Sequence, residues 1–464
     1  MKSKEKAASV ISRLEIIVAA LLFFAMLVSC GLYINIKMNG KISSLPSIPE
    51  KEKRILLKAV ASESVVYKDD LLEPVFVGFK NGNSRICAAP DDVVRKSIET
   101  TVYDSVINLF SGEHEKHGFE STSEAYDYIE GLKNSDTYML ISFFCDIPSS
   151  VILTCVSQNY DTVQYNGESF PIMHLFLLPD IDNNMYGVAV SASNEINIMY
   201  PKESVSFDKI AGESYDISDG YSYFEYEQRE GVFPVMSSSL RQRKYSVEPS
   251  AVAYGKEKNE SWVNNIFDVF DINTSLVRNF LSGDKSEINY IDETAEIVIN
   301  DNGSVVFTNT ETEGIYLEEF LGYFPENGNA YTVNDKIFAV KNIVNELKTK
   351  SDISSYSMSG IDYDRENDVL SVYLKLFVDG IVVTDSEYDA RFEIVSNSLS
   401  RAQFSSFVIK RIDDFSILIP QKYANALHVN DADVYCPKLC DTKEANIKTV
   451  KWAGFSSSLS EVNS

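Results

Sequence analysis

The feature that most limits what this chain can fold into is its start. From Ile16 to Ile34 it runs IIVAALLFFAMLVSCGLYI without one charged residue. Extended to Ile36, such a helix would be about 31 Å long at 1.5 Å per residue, enough to cross a bilayer. A helix packed on a globular core would keep a polar face, and this run has none. The expectation for residues 1–36 is a cytoplasmic basic tail, with Lys2, Lys4, Lys6 and Arg13, followed by a membrane anchor. A short basic N-terminus stays inside while a long C-terminal part is exported, although Lys37, Lys41 and Lys51 weaken the charge asymmetry. The predicted location is therefore the cell membrane, single-pass, with the C-terminal part extracytoplasmic.

Two details of the run bear on function. Ala25 and Ser29 form a small-xxx-small pair that would let a second helix approach closely, so they are candidate partner-binding residues. Leu27-Val28-Ser29-Cys30 also fits a lipoprotein cleavage site, which would make Cys30 a lipidation site. The apolar run continues past Cys30 through Leu32, Ile34 and Ile36, which favours an uncleaved anchor.

The remainder has ample means to fold. The 464 residues are 44% hydrophobic and 24% charged, the balance of an ordinary folded protein. With 42 Lys+Arg against 68 Asp+Glu the chain carries −26, which argues against broad binding of nucleic acid or anionic lipid.

A stalk is expected over 37–55, where Asn39-Gly40, Ser43-Ser44, Pro46 and Pro49 cluster. A first α+β domain follows over 56–245. Asp91 reads as the cap of a helix carrying Val94, Ile98, Val102, Leu109 and Phe110, stopped by Gly112. Ser121 and Glu124 form a capping-box pattern. Strands are predicted at Tyr138–Phe144, His174–Leu178, Tyr186–Val190 and Ile196–Tyr200, with Asp180–Asn184 as a turn.

The irregular basic stretch Leu240–Ser250 suggests a boundary. Beyond it a helix-then-hairpin order occurs twice, predicting α+β domains at 250–330 and 331–464, possibly related, with antiparallel sheets. The first helix is expected over Ser261–Leu281, with Asn302-Gly303 turning its hairpin; the second begins after Asn334, with Ile337, Val340, Val344 and Leu347 as its apolar stripe. Asp379-Gly380 turns the later hairpin.

Catalytic signatures are wanting. His114-Glu115-Lys116-His117 has metal-ligand spacing but no third ligand, and reads as a solvated loop. His174 reads as a hydrogen-bonded core histidine. Cys436 and Cys440 are a candidate disulfide; a metal site there would need a second pair. Asp362 to Asp368 alternates oxygen ligands but lacks a calcium loop's glycine and terminal Glu, so it reads as an exposed turn. Asn259, Asn273 and Asn302 fit a glycan-acceptor pattern expected by chance in a chain rich in Asn and Ser. No nucleophile elbow or phosphate-cradling loop is present, and no cofactor is implied.

Several segments resemble the YycH/YycI group, membrane-anchored regulators of a cell-wall sensor histidine kinase. They are Tyr138–Phe144 followed by Asp146-Ile147-Pro148, Tyr245-Ser-Val-Glu-Pro249, Phe270 to Arg278 before Tyr290-Ile291-Asp292, and Tyr373 with Phe377-Val378-Asp379-Gly380-Ile381. Glu293 departs from the glycine that the group tends to have after Tyr-x-Asp. The resemblance implies one membrane helix, a distinct first domain and two related α+β domains. It also implies a non-enzyme whose partners are a sensor histidine kinase and possibly a related membrane regulator. The alternative is an envelope lipoprotein that binds a ligand or wall component; an envelope hydrolase without a recognisable motif is a third reading.

Overall fold

The structure is a computed structural model. It describes residues 71–87, 105–156, 169–211, 221–225, 234–236, 240–249, 260–347, 354–418 and 434–455, apart from short internal gaps. All of these lie in one compact unit, Val65–Ser464. The predicted anchor with Ala25, Ser29 and Cys30, the stalk, and Asp91 fall outside the described residues. Among the described helices none is long and apolar enough to cross a membrane.

The fold is α+β, built on two sheets that are antiparallel but for one pairing between short segments. With β2 (Ser84–Cys87), β3 (Glu113–His117), β8 (Tyr221–Glu225) and β9 (Pro234–Met236) at its ends, the first has the order β3-β7-β6-β5-β4-β1-β2-β8-β9. Its centre is β1 (Phe76–Asn81), β4 (Thr137–Pro148), β5 (Pro171–Pro179), β6 (Met185–Val190) and β7 (Ile196–Tyr200). The four strands predicted from apolar runs are β4 to β7, and Asp180–Asn184 turns β5 into β6. The Asp180 carboxylate accepts the backbone N–H groups of Asp182 and Asn184 there, both at 2.8 Å.

Each face of this sheet meets a helix, as the near-continuous apolar strands require. Helix α1 (105–110) packs Val106, Leu109 and Phe110 into the same core as Met139, Ile141, Leu175 and Met199. A Cβ on Gly187 would stand 2.3 Å from Leu109 Cδ2, so a larger residue there would force the Leu109 side chain to move. Helix α2 (Thr122–Asn134) covers the opposite face through Ile129 and Leu132, with Tyr138, Leu140, Phe176 and Val188 beneath. Its predicted cap forms, with Ser121 accepting from the Glu124 N–H at 3.3 Å. Helix α3 (Ser149–Val156) follows directly on β4.

The second sheet has a main platform in the order β11-β12-β13-β14-β20-β19-β17, with β16 on the far edge of β17. It comprises β11 (Arg278–Leu281), β12 (Glu287–Ile291), β13 (Ala295–Asn300), β14 (Ser304–Asn309), β16 (Ser354–Asp364), β17 (Val369–Val378), β19 (Ala390–Val395) and β20 (Ser398–Ser405). Because β14 pairs with β20, the two helix-and-hairpin units share one sheet. The short β18 (Ile381–Val382) links it to β22 (Val434–Asp441), β23 (Ile447–Phe455), β10 (Leu240–Pro249) and β21 (Phe407–Leu418). The stretch read as a boundary at 240–250 is thus β10, paired with β21 along its whole length.

Three helices pack with this sheet: α4 (Glu260–Val269), α5 (Glu318–Leu321) and α6 (Val333–Leu347). Ile337, Val340 and Val344 are buried as the stripe predicted, each contributing about 1.5–3 kcal/mol relative to exposure. The helix starts earlier than expected. Thr332 accepts the Asp335 N–H at 3.2 Å while the Asp335 carboxylate accepts the Thr332 N–H at 2.7 Å, a reciprocal cap.

The helix expected over Ser261–Leu281 ends at Val269. Asp271 has φ 52°, and the Asn273 side chain accepts the Ser275 N–H at 3.1 Å, so Asp-Ile-Asn-Thr-Ser turns the chain. Arg278–Leu281 is then strand β11, not helix. At Asn302-Gly303 the hairpin forms, with φ of 86° at Gly303 alone of the pair.

Candidate functional site

The segments that carry the family resemblance build one joint of the fold. At Asp379-Gly380 both φ values are positive, 51° and 72°, the type I′ geometry that a two-residue hairpin needs. The Asp379 carboxylate then receives three donors from elsewhere. Tyr245 of β10 gives its hydroxyl at 2.8 Å, Arg411 of β21 gives Nε–H at 2.7 Å, and the same guanidinium adds Nη2–H. Tyr245 is fully buried, so its hydroxyl needs this acceptor. The other resembling segments are also structural. Phe270 stacks on Phe307 at 4.5 Å, and Asp292 closes the β12–β13 turn by accepting the N–H groups of Thr294 and Ala295, both at 2.7 Å.

A cleft of about 630 Å³ opens beside Ser111, Gly112, Glu113, His114, Tyr200 and Lys202. In its lining Gly112 lies against the backbone of Tyr200 and Lys202, where a Cβ would stand 1.9 Å from the Tyr200 carbonyl oxygen. Its acid and its imidazole are adjacent residues of β3 (Glu113–His117) and point to opposite faces of the sheet. They make no acid–base pair.

The stretch His114–His117, expected as a loop, is that strand, paired with β7 along its whole length. His114 lies 5.4 Å from the Phe170 ring and His117 5.2 Å from the Tyr128 ring, so the two imidazoles do not share a ligand. Among the described residues no group of three or more His, Cys, Asp or Glu converges as a metal site would require.

His174 is buried, with Nδ1 2.8 Å from Ser142 Oγ. Burial, with Lys133 nearby, pulls its pKa down to about 3. A Ser–His pair can mark a nucleophile. This one lies under α2 with Ser142 and His174 both only 3% exposed, out of reach of a substrate.

Cys436 and Cys440 both lie in β22, and Cys440 carries a free thiol. Four residues of extended strand separate their Cα atoms by about 13 Å, roughly twice what a disulfide spans. The expected pairing is therefore corrected. Of Asp362–Asp368, read as an exposed turn, Asp362–Asp364 complete β16 and residues 365–368 make the turn into β17. Asp364 accepts from the Glu366 and Asn367 N–H groups at 2.9 and 3.2 Å, using its oxygens within the loop.

What this structure offers to a partner is surface. The helices cover one face of the second sheet, and side chains such as Ile291, Val298, Val306 and Tyr373 are only half-buried on the other. At its end β11 has all four residues exposed, including Phe280 at 54% and Leu281 at 40%. The end strand β3 of the first sheet instead carries Glu-His-Glu-Lys-His, the charged composition that discourages further pairing. Sequence reading missed β11 because it placed these residues on a helix.

No family model matches the chain, and no curated protein sequence matches it. The fold does match a solved one, the crystal structure of YycH from Bacillus subtilis. The TM-score is 0.52 at 11% sequence identity, over 79% of this chain and 90% of that chain. An uncharacterized protein from Eubacterium rectale aligns over 46% of this chain and 76% of its own at a TM-score of 0.31 and 11% identity. That is too low to carry an argument. The chain has a YycH-like fold.

Proposed function

We propose that this chain is a membrane-anchored, extracytoplasmic regulator of a two-component sensor histidine kinase that controls cell-wall homeostasis. It acts by protein contacts and without catalysis. The observation that carries the reading is the YycH-like fold over 79% of the chain.

In this reading Ile16–Ile36 spans the membrane and presents Ala25 and Ser29 to a kinase helix or to a related membrane regulator. The exported part tunes that contact through its exposed sheet surface. The physical mechanism is population shift. Binding one kinase conformation better than the other by about 2.8 kcal/mol would move their ratio about a hundredfold, with no reaction.

The test is cross-linking and co-purification of the full-length protein with the sensor kinases of its host. The comparison is a version whose Ile16–Ile36 is replaced by an unrelated spanning helix. One kinase should be captured by the first and lost from the second. Capture of none by either would overturn the reading. A lipid found on Cys30 by intact-mass analysis would then favour the ligand-binding lipoprotein.

A further inference from the structure

Where the two sheets meet, several irregularities fall at one point. In β16 the pairing with β17 passes from Met358↔Leu374 to Gly360↔Tyr373, so Ser359 is an extra residue outside the ladder. In β4 the pairing with β5 passes from Ser142↔His174 to Ile147↔Ile172, which leaves Phe143 to Asp146 opposite Met173 alone. These two interruptions adjoin. The Cys145 thiol lies 3.7 Å from the Met358 carbonyl oxygen, and the Phe144 and Phe377 rings meet edge-on at 6.3 Å.

The segment that comes from the N-terminal side closes the same point. Leu71 and Leu72 are 2% and 1% exposed, in one core with Ile141, Phe143, Cys145 and Met358. The Leu71 carbonyl accepts the Met358 N–H at 2.8 Å and the Ser357 hydroxyl at 3.5 Å. Met358 therefore gives its N–H to the incoming chain, and its carbonyl oxygen faces the thiol of β4. Beside it Ser359 Oγ is buried with no hydrogen-bond partner among the described residues, an uncommon expense for a polar atom.

We infer that Leu71–Leu72 is a strap that holds the seam between β4 and β16 shut, and that withdrawing it opens the seam and exposes Cys145. The strap ties two locally irregular strands. Opening would hydrate the orphaned Ser359 hydroxyl, which lowers the cost of the open state. The device exists whether or not a kinase binds, so its test stands apart from the capture experiment.

The experiment uses the full-length protein labelled with N-ethylmaleimide and read by peptide mapping, so that each thiol is followed separately. Burial raises the Cys145 pKa and keeps its thiol protonated, so native labelling starts slow. Leu71→Asp, which puts a carboxylate in the seam, should raise the Cys145 rate at least tenfold and leave buried Cys87 in β2 (Ser84–Cys87) unchanged. Should Leu71→Asp fail to fold, the milder Leu72→Ala decides by amide hydrogen exchange. Exchange should speed up in 139–147 and 354–360 while α2 and β12–β14 stay protected. Unchanged Cys145 labelling in folded Leu71→Asp overturns the strap, and so does equal acceleration of Cys87 and Cys145, or of all regions in Leu72→Ala.

Discussion

The hydroxyl of Tyr245 donates to the carboxylate of Asp379 at 2.8 Å, tying β10 to a hairpin turn 134 residues further along the chain. Arg411 from β21 meets the same carboxylate, so one side chain joins three strands that local sequence does not connect. A turn aspartate would otherwise need only its tolerance of positive φ.

Removing this acceptor should cost more than removing either donor. Tyr245→Phe loses one hydrogen bond and is expected to cost about 1 kcal/mol. Asp379→Ala leaves a buried hydroxyl unsatisfied, frees a guanidinium and puts alanine in the left-handed region, together about 3–4 kcal/mol. Asp379→Asn keeps the turn and should fall between them. Urea titrations of the three variants measure this order, and equal midpoints for Asp379→Ala and Tyr245→Phe would show that the carboxylate does not organise the joint.

Acid should destabilise the first sheet through His174. Its folded pKa is held near 3 against an ordinary 6.5, because burial disfavours the imidazolium and Lys133 stands close. As pH falls below 6.5 the unfolded chain binds the proton first. The His174 contribution is complete above that value and lost progressively towards 3, by about 1.4 kcal/mol per unit. Between pH 6 and pH 4 His174→Phe should flatten this part of the stability profile. A variant with the wild-type slope would assign the acid sensitivity to other groups.

Lys375 and Asp389 are both fully buried, 3.6 Å apart, between β17 and the start of β19. Asp389 also accepts the Leu376 N–H at 2.8 Å, and burial nonetheless pushes its pKa up. Asp389→Leu strands a buried ammonium and should cost about 3–5 kcal/mol. The double variant with Lys375→Met should recover part of that loss, the remainder reflecting the buried Leu376 N–H left without its acceptor. Thermal melts of both singles and the double form the cycle, and additive losses would mean that the two charges are not coupled.

Much of the first sheet was legible because its signals are local. Runs such as Tyr138–Phe144 and His174–Leu178 are apolar on both faces, which only a strand between two helical layers satisfies. Ser121 with Glu124 and Asp379-Gly380 are short-range devices whose geometry depends on a few neighbouring residues. The failures have separate causes. Arg278–Leu281 has no apolar period of its own, and a reading that extended the preceding helix missed the left-handed turn at Asp271. His114–His117 is polar and was read as loop, but a free sheet edge favours that composition. Cys436 and Cys440 have loop-like spacing, and their separation follows from pairing with β23, which no local pattern reports.

The sequence by itself determined the alternation of helices and hairpins, most of the turn positions and the segments that resemble the YycH group. These follow from side-chain period, capping and backbone preference within about ten residues. Only the tertiary structure decided that β10 belongs with β21, that β14 and β20 merge two units into one sheet, and that Leu71 closes the seam at Met358. Such pairings depend on which apolar faces and free backbone groups find one another across hundreds of residues. A hydrogen bond between distant strands leaves no period in the chain.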